Sequence, residues 1–131
     1  MRNDIKNHLS VVSTLAPAVH DATLNGDDVD LAGYDAAAFV FDIGVVSANG
    51  LVLTLEHADD DGTGQPDSYA SISADDLDGT IPTATTTTDE AVTVVGYHGI
   101  KRWVRAVVTD GGTGSGGLAV SVVRAKGRVK P

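Results

Sequence analysis

The chain has 131 residues, no cysteine, and 18 acidic against nine basic residues, so its formal charge is −9. That length fits one domain, and a hydrophobic content of 42% is typical of a globular chain rather than a disordered one. The lack of cysteine excludes a disulfide framework, a thiolate zinc site and a cysteine nucleophile.

An alternation of apolar and polar residues with a period of two runs through most of the chain and predicts β-strands. In chain order, residues 9–15 and a short segment around Val29-Asp30-Leu31 are the first expected strands. Residues 16–22 allow at most a single helical turn, which Pro17 and Gly26 confine.

Residues 36–43 predict a half-buried strand with Phe39 and Phe41 on its inner face. The Asn49-Gly50 pair then predicts a tight turn. Residues 51–56 alternate in the same way, and we expect them to return as a second strand that pairs antiparallel with the first.

Residues 69–72 are expected to form a short third strand after a long polar loop, and Asp75-Asp76-Leu77 a single turn. The threonine-rich residues 80–90, which include Pro82, indicate an extended surface connection. Residues 91–97 resume the alternation and predict another strand.

Residues 100–109 show the clearest alternation, with Arg102 on one face of the predicted strand and Trp103 on the other. The glycine-rich residues 111–117 predict a flexible hairpin tip. Residues 118–125 then return as the last strand.

About seven strands at these spacings predict an all-β fold. We expect a single-domain antiparallel β-sandwich, or a small jelly-roll-like barrel, at residues 9–125. Extended termini flank it: a polar N-terminal arm at residues 1–8 and a basic C-terminal tail at residues 126–131. Strand order is non-local, so the sequence leaves sandwich and barrel both open.

Charge is separated along the chain. Residues 21–90 hold 16 acidic residues and no Lys or Arg, whereas residues 91–131 hold seven basic residues and one acid, Asp110. One interpretation is that the protein presents surfaces of opposite sign to its partners. The other is that the fold interleaves the two segments and evens out the field.

The densest acidic loop begins Asp59-Asp60-Asp61-Gly62, and carboxylates on a glycine-containing loop are ligands that calcium prefers. EF-hand spacing fails here, because Ala70 occupies the place of the Glu that is position 12 of such a loop. The alternative is a solvated turn between strands, for which Asp and Gly are usual. We expect no cofactor, and whether this loop holds a metal ion stays open.

No catalytic residue is predicted. The four histidines, His8, His20, His57 and His98, lie far apart and offer no zinc-type pair. A Gly-x-Ser-x-Gly nucleophile elbow is missing, and residues 111–117 lack the Lys-Ser/Thr of a phosphate loop. The sequence therefore favours a protein without enzymatic activity.

The basic residues are the candidate interface. Lys101, Arg102 and Arg105 put cations on both faces of one predicted strand, beside Trp103. Buried charges need partners, so we expect one end of this strand to reach the surface or an interface. Further basic residues fall at every second position and would project to one side of an extended tail: Arg124, Lys126, Arg128 and Lys130. The alternative for this tail is simple solvation.

Two classes of partner are disfavoured. The strongly negative chain offers no long-range attraction to phosphate and few aromatic rings for stacking, so we expect no nucleic-acid partner. No apolar run approaches the roughly 20 residues of a bilayer span, and the N-terminus lacks the apolar core of a signal peptide. We therefore expect a small soluble protein without a membrane partner.

Ordered blocks across nearly the whole chain resemble a known family. After a polar N-terminal arm, the blocks are Leu15-Ala16-Pro17-Ala18-Val19, residues 26–31, Gly33-Tyr34-Asp35-Ala36-Ala37-Ala38-Phe39-Val40, Leu55-Glu56-His57-Ala58-Asp59-Asp60-Asp61-Gly62 and Val94-Val95-Gly96-Tyr97-His98-Gly99-Ile100-Lys101-Arg102-Trp103-Val104-Arg105. Together they resemble small tailed-bacteriophage virion proteins encoded beside the major capsid protein, here identified as head decoration, or cement, proteins. No catalytic signature takes part in this resemblance.

The resemblance implies a compact β domain on the outer surface of an icosahedral capsid, in the virion. Its partner would be the major capsid protein, and it would form a homo-oligomer on the shell, for example a trimer. Bound across capsomer boundaries, such a protein would stabilise the capsid without catalysis. The alternatives are a head–tail connector or tail component, and a carbohydrate- or receptor-binding β-sandwich.

Overall fold

The computed structural model describes residues 4–48, 50–111 and 114–125. They form ten strands and one short 3-10 helix, Ala74–Asp76, and no α-helix occurs in these ranges. The strands are β1 Leu9–His20, β2 Leu24–Asn25, β3 Val29–Asp30, β4 Ala36–Ala48, β5 Leu51–Ala58, β6 Ala70–Ser71, β7 Leu77–Asp78, β8 Ala91–Tyr97, β9 Trp103–Asp110 and β10 Ser115–Ala125.

The strands form two antiparallel sheets, which confirms the all-β prediction and favours the sandwich over the barrel. The first sheet has the order β1-β10-β4-β8-β7. The second has the order β2-β9-β5-β6, with β3 also pairing with β9. From β4 onward, consecutive long strands belong to different sheets, and the chain crosses between them.

The core lies between the inner faces of the two sheets. Its largest fully buried side chains include Phe39 and Phe41 from β4 and Leu55 from β5. These positions follow the alternation in the sequence, so the predicted inner face of residues 36–43 is confirmed. Burial of each such side chain stabilises the fold by about 1.5–3 kcal/mol.

The two predicted hairpins were wrong. β4 and β5 lie in different sheets, so the connection through Gly50 is a crossover and not a hairpin turn. The glycine-rich connection from β9 to β10 is likewise a crossover. The two crossovers contact each other, because the N–H of Gly111 donates to the carbonyl of Gly50 at 2.9 Å. A Cβ on Gly114 would come within 2.9 Å of the Gly50 carbonyl carbon, which explains a glycine there.

The first strand extends further than expected. Instead of a helical turn at residues 16–22, β1 continues to His20 through two register shifts against β10. Pro17 is compatible with this strand because β1 lies at the edge of its sheet, where one side needs no ladder hydrogen bond. Residues 4–8 of the expected arm form a turn, in which the His8 N–H donates to the Ile5 carbonyl at 3.0 Å.

The basic strand begins later than expected. β9 starts at Trp103, so Ile100, Lys101 and Arg102 belong to the loop that precedes it. Ile100 is 99% exposed. The single turn predicted at Asp75-Asp76-Leu77 is confirmed as the 3-10 helix, which Ser73 caps.

Candidate interaction surfaces

Three of the predicted interface cations, Lys101, Arg102 and Arg105, are paired with carboxylates of the same chain. Lys101 Nζ lies 2.9 Å from Asp59 Oδ2. Arg102 donates to both oxygens of Asp30, from Nε at 2.8 Å and from Nη2 at 2.9 Å. This two-pronged contact holds the pKa of the Asp30 carboxyl below its usual range.

Arg105 contacts both Glu56 and Tyr69 on the outer face of the second sheet. It pairs with Glu56, its cross-strand neighbour on β5, at 2.8 Å. Its guanidinium carbon stands 3.9 Å from the centroid of the Tyr69 ring, a cation–π geometry. The Tyr69 hydroxyl donates to Asp28 Oδ1 at 2.7 Å. Burial, followed by this hydrogen bond, raises the pKa of Tyr69.

Arg124 ties three elements of the fold together. Its guanidinium stacks on Tyr34, with the carbon 4.5 Å from the ring centroid. It also donates to the backbone carbonyl of Asp30 at 2.9 Å and to Ser10 Oγ at 2.7 Å. This arginine of β10 therefore links β1, β3 and the loop that follows β3.

Trp103 is the first residue of β9 and lies directly after Lys101 and Arg102 in the chain. Its indole N–H donates to Asp60 Oδ1 at 3.4 Å, and the Arg102 guanidinium lies 5.3 Å from its ring centroid. The structure thus brings the predicted interface residues of segment 101–105 together. Their cations, however, form ion pairs with acidic side chains of residues 21–90. Within the described residues, the fold interleaves the two charged segments around these cations. Lys126, Arg128 and Lys130 of the predicted interface lie outside the described residues.

The carboxylates of the acidic loop are occupied by the loop itself and by Lys101, Arg102 and Trp103. Asp60 accepts from the Gly62 N–H at 3.0 Å, and Asp61 accepts from the N–H and hydroxyl of Thr63 at 2.8 and 2.6 Å. These bonds hold the pKa of Asp61 below its usual range. No group of three or more metal-ligating side chains occurs in the described part of the chain. The bonds within the loop, from Gly62 and Thr63 to Asp60 and Asp61, are those of a turn between strands.

A groove of about 510 Å³ opens beside the loop that precedes β9. Tyr34 and Ile100 line it together with the Lys101 and Arg102 side chains. Tyr97 also lines it, but only 7% of the surface of this residue is exposed. The groove therefore presents one accessible aromatic ring, Tyr34, and no aromatic platform of the kind that sugars stack on.

The outer face of the first sheet is nearly free of charge. One row across its strands reads Val11, Val123, Ala38 and Gly96. The next row reads Ser13, Ser121, Val40 and Val94. Val11 and Val94 are 60% and 59% exposed, so these apolar side chains face solvent. We call this surface the uncharged face.

Acids lie only at the margins of the uncharged face, as far as the described residues show. Asp42 lies one row further along, between Ala119 and Val92. Asp78 belongs to the short edge strand β7. Sequence reasoning missed this surface. The signal was present in the apolar residues at outward positions of residues 91–97, but their neighbours depend on a strand order that the sequence does not reveal.

The two outer faces of the sandwich therefore differ in chemistry. The second sheet exposes Val52 and Thr109, then the Glu56–Arg105 pair, then Trp103. That face is polar at its centre and its charges are satisfied internally. The first sheet, in contrast, exposes valine, alanine and serine across four strands on a chain of charge −9.

Comparisons with protein-family models, with curated proteins and with solved structures found no match. Among the described residues, no helix has the length and apolar character needed to cross a membrane. The surfaces themselves are therefore the basis for a functional proposal.

Proposed function

We propose that this protein is a non-enzymatic structural component of a tailed-phage virion. In this proposal it binds the outer surface of the capsid and stabilises the shell across capsomer boundaries. The observation that carries the proposal is the uncharged face, because a large exposed apolar patch on a monomer marks an interaction surface. The resemblance of the sequence to decoration proteins supplies the partner, the major capsid protein.

The uncharged face is comparable in size to the apolar patches that are often functional on monomers. Four strands spaced about 4.8 Å apart, over two rows or about four residues of 3.4 Å each, give a planar area of roughly 260 Å². Side-chain relief adds to this value, and the largest apolar patch on a typical monomer is about 300–600 Å². Covering this face would remove the exposed Val11 and Val94 side chains from water.

The interface in this proposal differs from the basic cluster that the sequence suggested. Lys101, Arg102 and Arg105 have their charges met inside the chain, so releasing them for another protein would cost the contacts they already make. The uncharged face makes no such contacts. The acidic loops at the sandwich ends would remain in solvent, where like charges keep copies apart except where the shell orders them.

The mechanism in this proposal is passive. Each copy contributes a rigid sheet surface that is already formed, so binding costs little conformational entropy. Many copies on one shell act together, because separating two capsid subunits would require breaking every decoration contact that spans them. No catalytic residue or cofactor takes part.

The copy number of the protein in virions tests this proposal. Gel densitometry of purified virions against the major capsid protein measures it directly. A decoration protein is expected at about one copy per capsid subunit, or about one for every three, as icosahedral symmetry allows. About a dozen copies or fewer would place the protein at the portal vertex or tail and support the connector alternative. Absence from virions would contradict both and favour the carbohydrate-binding alternative, which a glycan array tests.

A further inference from the structure

At three of the four sheet edges in the described residues the outermost strand is short. β7 pairs only with Gly96 and Tyr97 of β8, and β6 only with Glu56 and His57 of β5. β7 at one edge of the first sheet has two residues, one of which is Asp78. β2 and β6 at the edges of the second sheet also have two residues each. Very short or charged edge strands prevent pairing with other chains. The fourth edge is β1, with 12 residues.

β1 lacks the features that usually protect an edge. Residues 9–19 carry no charged side chain, and their first proline is Pro17. Part of the edge is covered within the molecule, because the Asp27 N–H donates to the Thr14 carbonyl at 2.6 Å. No strand of the described residues lies beside residues 9–13 on the side away from β10. This open segment spans about 17 Å at 3.4 Å per residue.

We propose that the open edge of β1 pairs antiparallel with the same edge of a second copy. Free N–H and C=O groups along an edge are satisfied by main-chain bonds to an added strand. In an antiparallel pair, directly opposite residues point to the same face of the sheet. The two-fold axis therefore lies midway between one residue and the same residue of the second copy. With the axis at Val11, Leu9 lies opposite Ser13 and Ser10 lies opposite Val12.

Charge favours a second copy as the occupant of this edge. The chain carries a charge of −9, so most surfaces of two copies repel each other. The open segment carries no charged side chain of its own. The charged residues in contact with this part of β1 are Arg124, which donates to Ser10 Oγ, and Asp27, whose N–H donates to the Thr14 carbonyl. Self-pairing therefore joins the copies through a stretch of strand that adds no charge of its own.

The dimer would have a further consequence for the surface. A two-fold axis that relates antiparallel strands stands perpendicular to the sheet, so the two uncharged faces would lie on the same side. The first sheets would join into one sheet of ten strands with roughly twice the apolar area. The pairing does not depend on the proposed capsid role, and it is tested on purified protein without any shell.

A pair of matched valine substitutions tests the inference. Val11 and Val94 share the uncharged face and are 60% and 59% exposed, but Val94 lies on β8, which β10 and β4 separate from β1. An interface of this size is weak, so sedimentation equilibrium should span about 10 µM to about 1 mM. We expect the unmodified chain and V94K to dimerise, and V11K to remain monomeric because two lysines would meet at the axis. A chain that stays monomeric throughout overturns the inference, and so does a dimer that survives V11K or one that V94K dissociates.

Single cysteines provide a second measurement that does not depend on V11K folding. The chain has no cysteine of its own, so a covalent dimer reports only on the introduced residue. Opposite Cβ atoms in a narrow antiparallel pair lie about 4.5 Å apart, within reach of a disulfide. Among S10C, V11C, V12C and S13C, we expect rapid oxidation to a covalent dimer to peak at V11C and to exceed that of V94C. Equal rates for V11C and V94C, or no dimer in the series, would overturn the pairing.

Discussion

His57 Nδ1 lies 2.8 Å from the Tyr97 hydroxyl, and this hydrogen bond joins the second sheet to the first inside the core. The backbone N–H of Lys101 donates to the same hydroxyl at 3.3 Å. The hydroxyl has one proton and two acceptor lone pairs, so the direction of its bond with Nδ1 follows the tautomer of His57. Burial of the ring disfavours its charged, doubly protonated form.

This pair makes stability depend on pH. Burial is the main cause that holds the pKa of His57 below its usual value of 6.5; Lys101 adds to the effect, and Asp76 and Asp59 oppose it. Between the folded-state pKa and 6.5 the unfolded chain binds more protons, so the free energy of unfolding rises with pH through that window. The stability that neutral, buried His57 contributes is complete above pH 6.5 and is lost as the pH falls toward the folded-state pKa. Urea unfolding across the window measures it.

Two histidine substitutions separate this effect from other titrations. H57Q removes the buried titrating ring, and H98Q removes an exposed ring whose Nε2 lies 4.0 Å from Asp78. We expect H57Q to flatten the loss of stability below pH 6.5 and H98Q to leave it unchanged. An unchanged pH profile in H57Q would contradict the assigned role of His57.

The partly buried ion pair on the second sheet should contribute more to stability than the exposed one. The Arg105 and Glu56 side chains are 20% and 22% exposed, and Arg105 also covers Tyr69. We expect R105A to lower the free energy of unfolding by about 1–2 kcal/mol, since it removes a charged hydrogen bond and a cation–π contact. K101A should change it by less than about 0.5 kcal/mol, because its partner Asp59 lies mostly in water. Equal losses in the two variants, measured by urea unfolding, would contradict this ranking.

The contact between the two crossovers predicts a position that tolerates only glycine. A Cβ on Gly114 would lie 2.9 Å from Leu51 N, whereas one on Gly117 would meet only the Val45 carbonyl at 3.9 Å. We expect G114A to destabilise the protein by about 1–3 kcal/mol, because backbone would have to move. G117A should be within about 0.5 kcal/mol of the unmodified chain. Comparable stability of the two variants would indicate that the crossovers do not meet here.

The acidic loop should not respond to calcium. Asp59 is paired with Lys101, and Asp60 and Asp61 accept N–H groups of their own loop. Binding of an ion would have to displace these contacts, so we expect calcium to leave the unfolding temperature unchanged, with magnesium as the control. A rise in that temperature that depends on calcium concentration would show selective binding to the folded state and contradict this prediction.

Much of each strand was predictable, but its partners were not. The alternation of period two predicted correctly that Phe39, Phe41 and Leu55 point into the core. The side of a strand on which a side chain lies depends only on its position along that strand. Pairing is non-local. Asn49-Gly50 has the composition of a hairpin turn, yet β4 pairs with β10 and β8 in one sheet, and β5 pairs with β9 and β6 in the other.

The candidate surfaces were predictable to a lesser degree. Arg102 pairs with an acid 72 residues away and Arg105 with one 49 residues away, so the sequence indicated that these cations needed partners but not which ones. The uncharged face combines side chains of β1, β10, β4 and β8, and its composition follows from strand order alone. The three cations beyond Ala125 lie outside the described residues, and their part in an interface stays a prediction.

The central claim is that the uncharged face binds the capsid, and shells that lack this protein provide the most direct test. V94K introduces a charge on the uncharged face, and V52K introduces the same charge at a 55% exposed valine on the outer face of the second sheet. We expect V94K to weaken shell binding by at least roughly tenfold, equivalent to about 1.4 kcal/mol, and V52K to bind like the unmodified chain. Binding that is unaffected by V94K, or that is lost in V52K, would contradict the account.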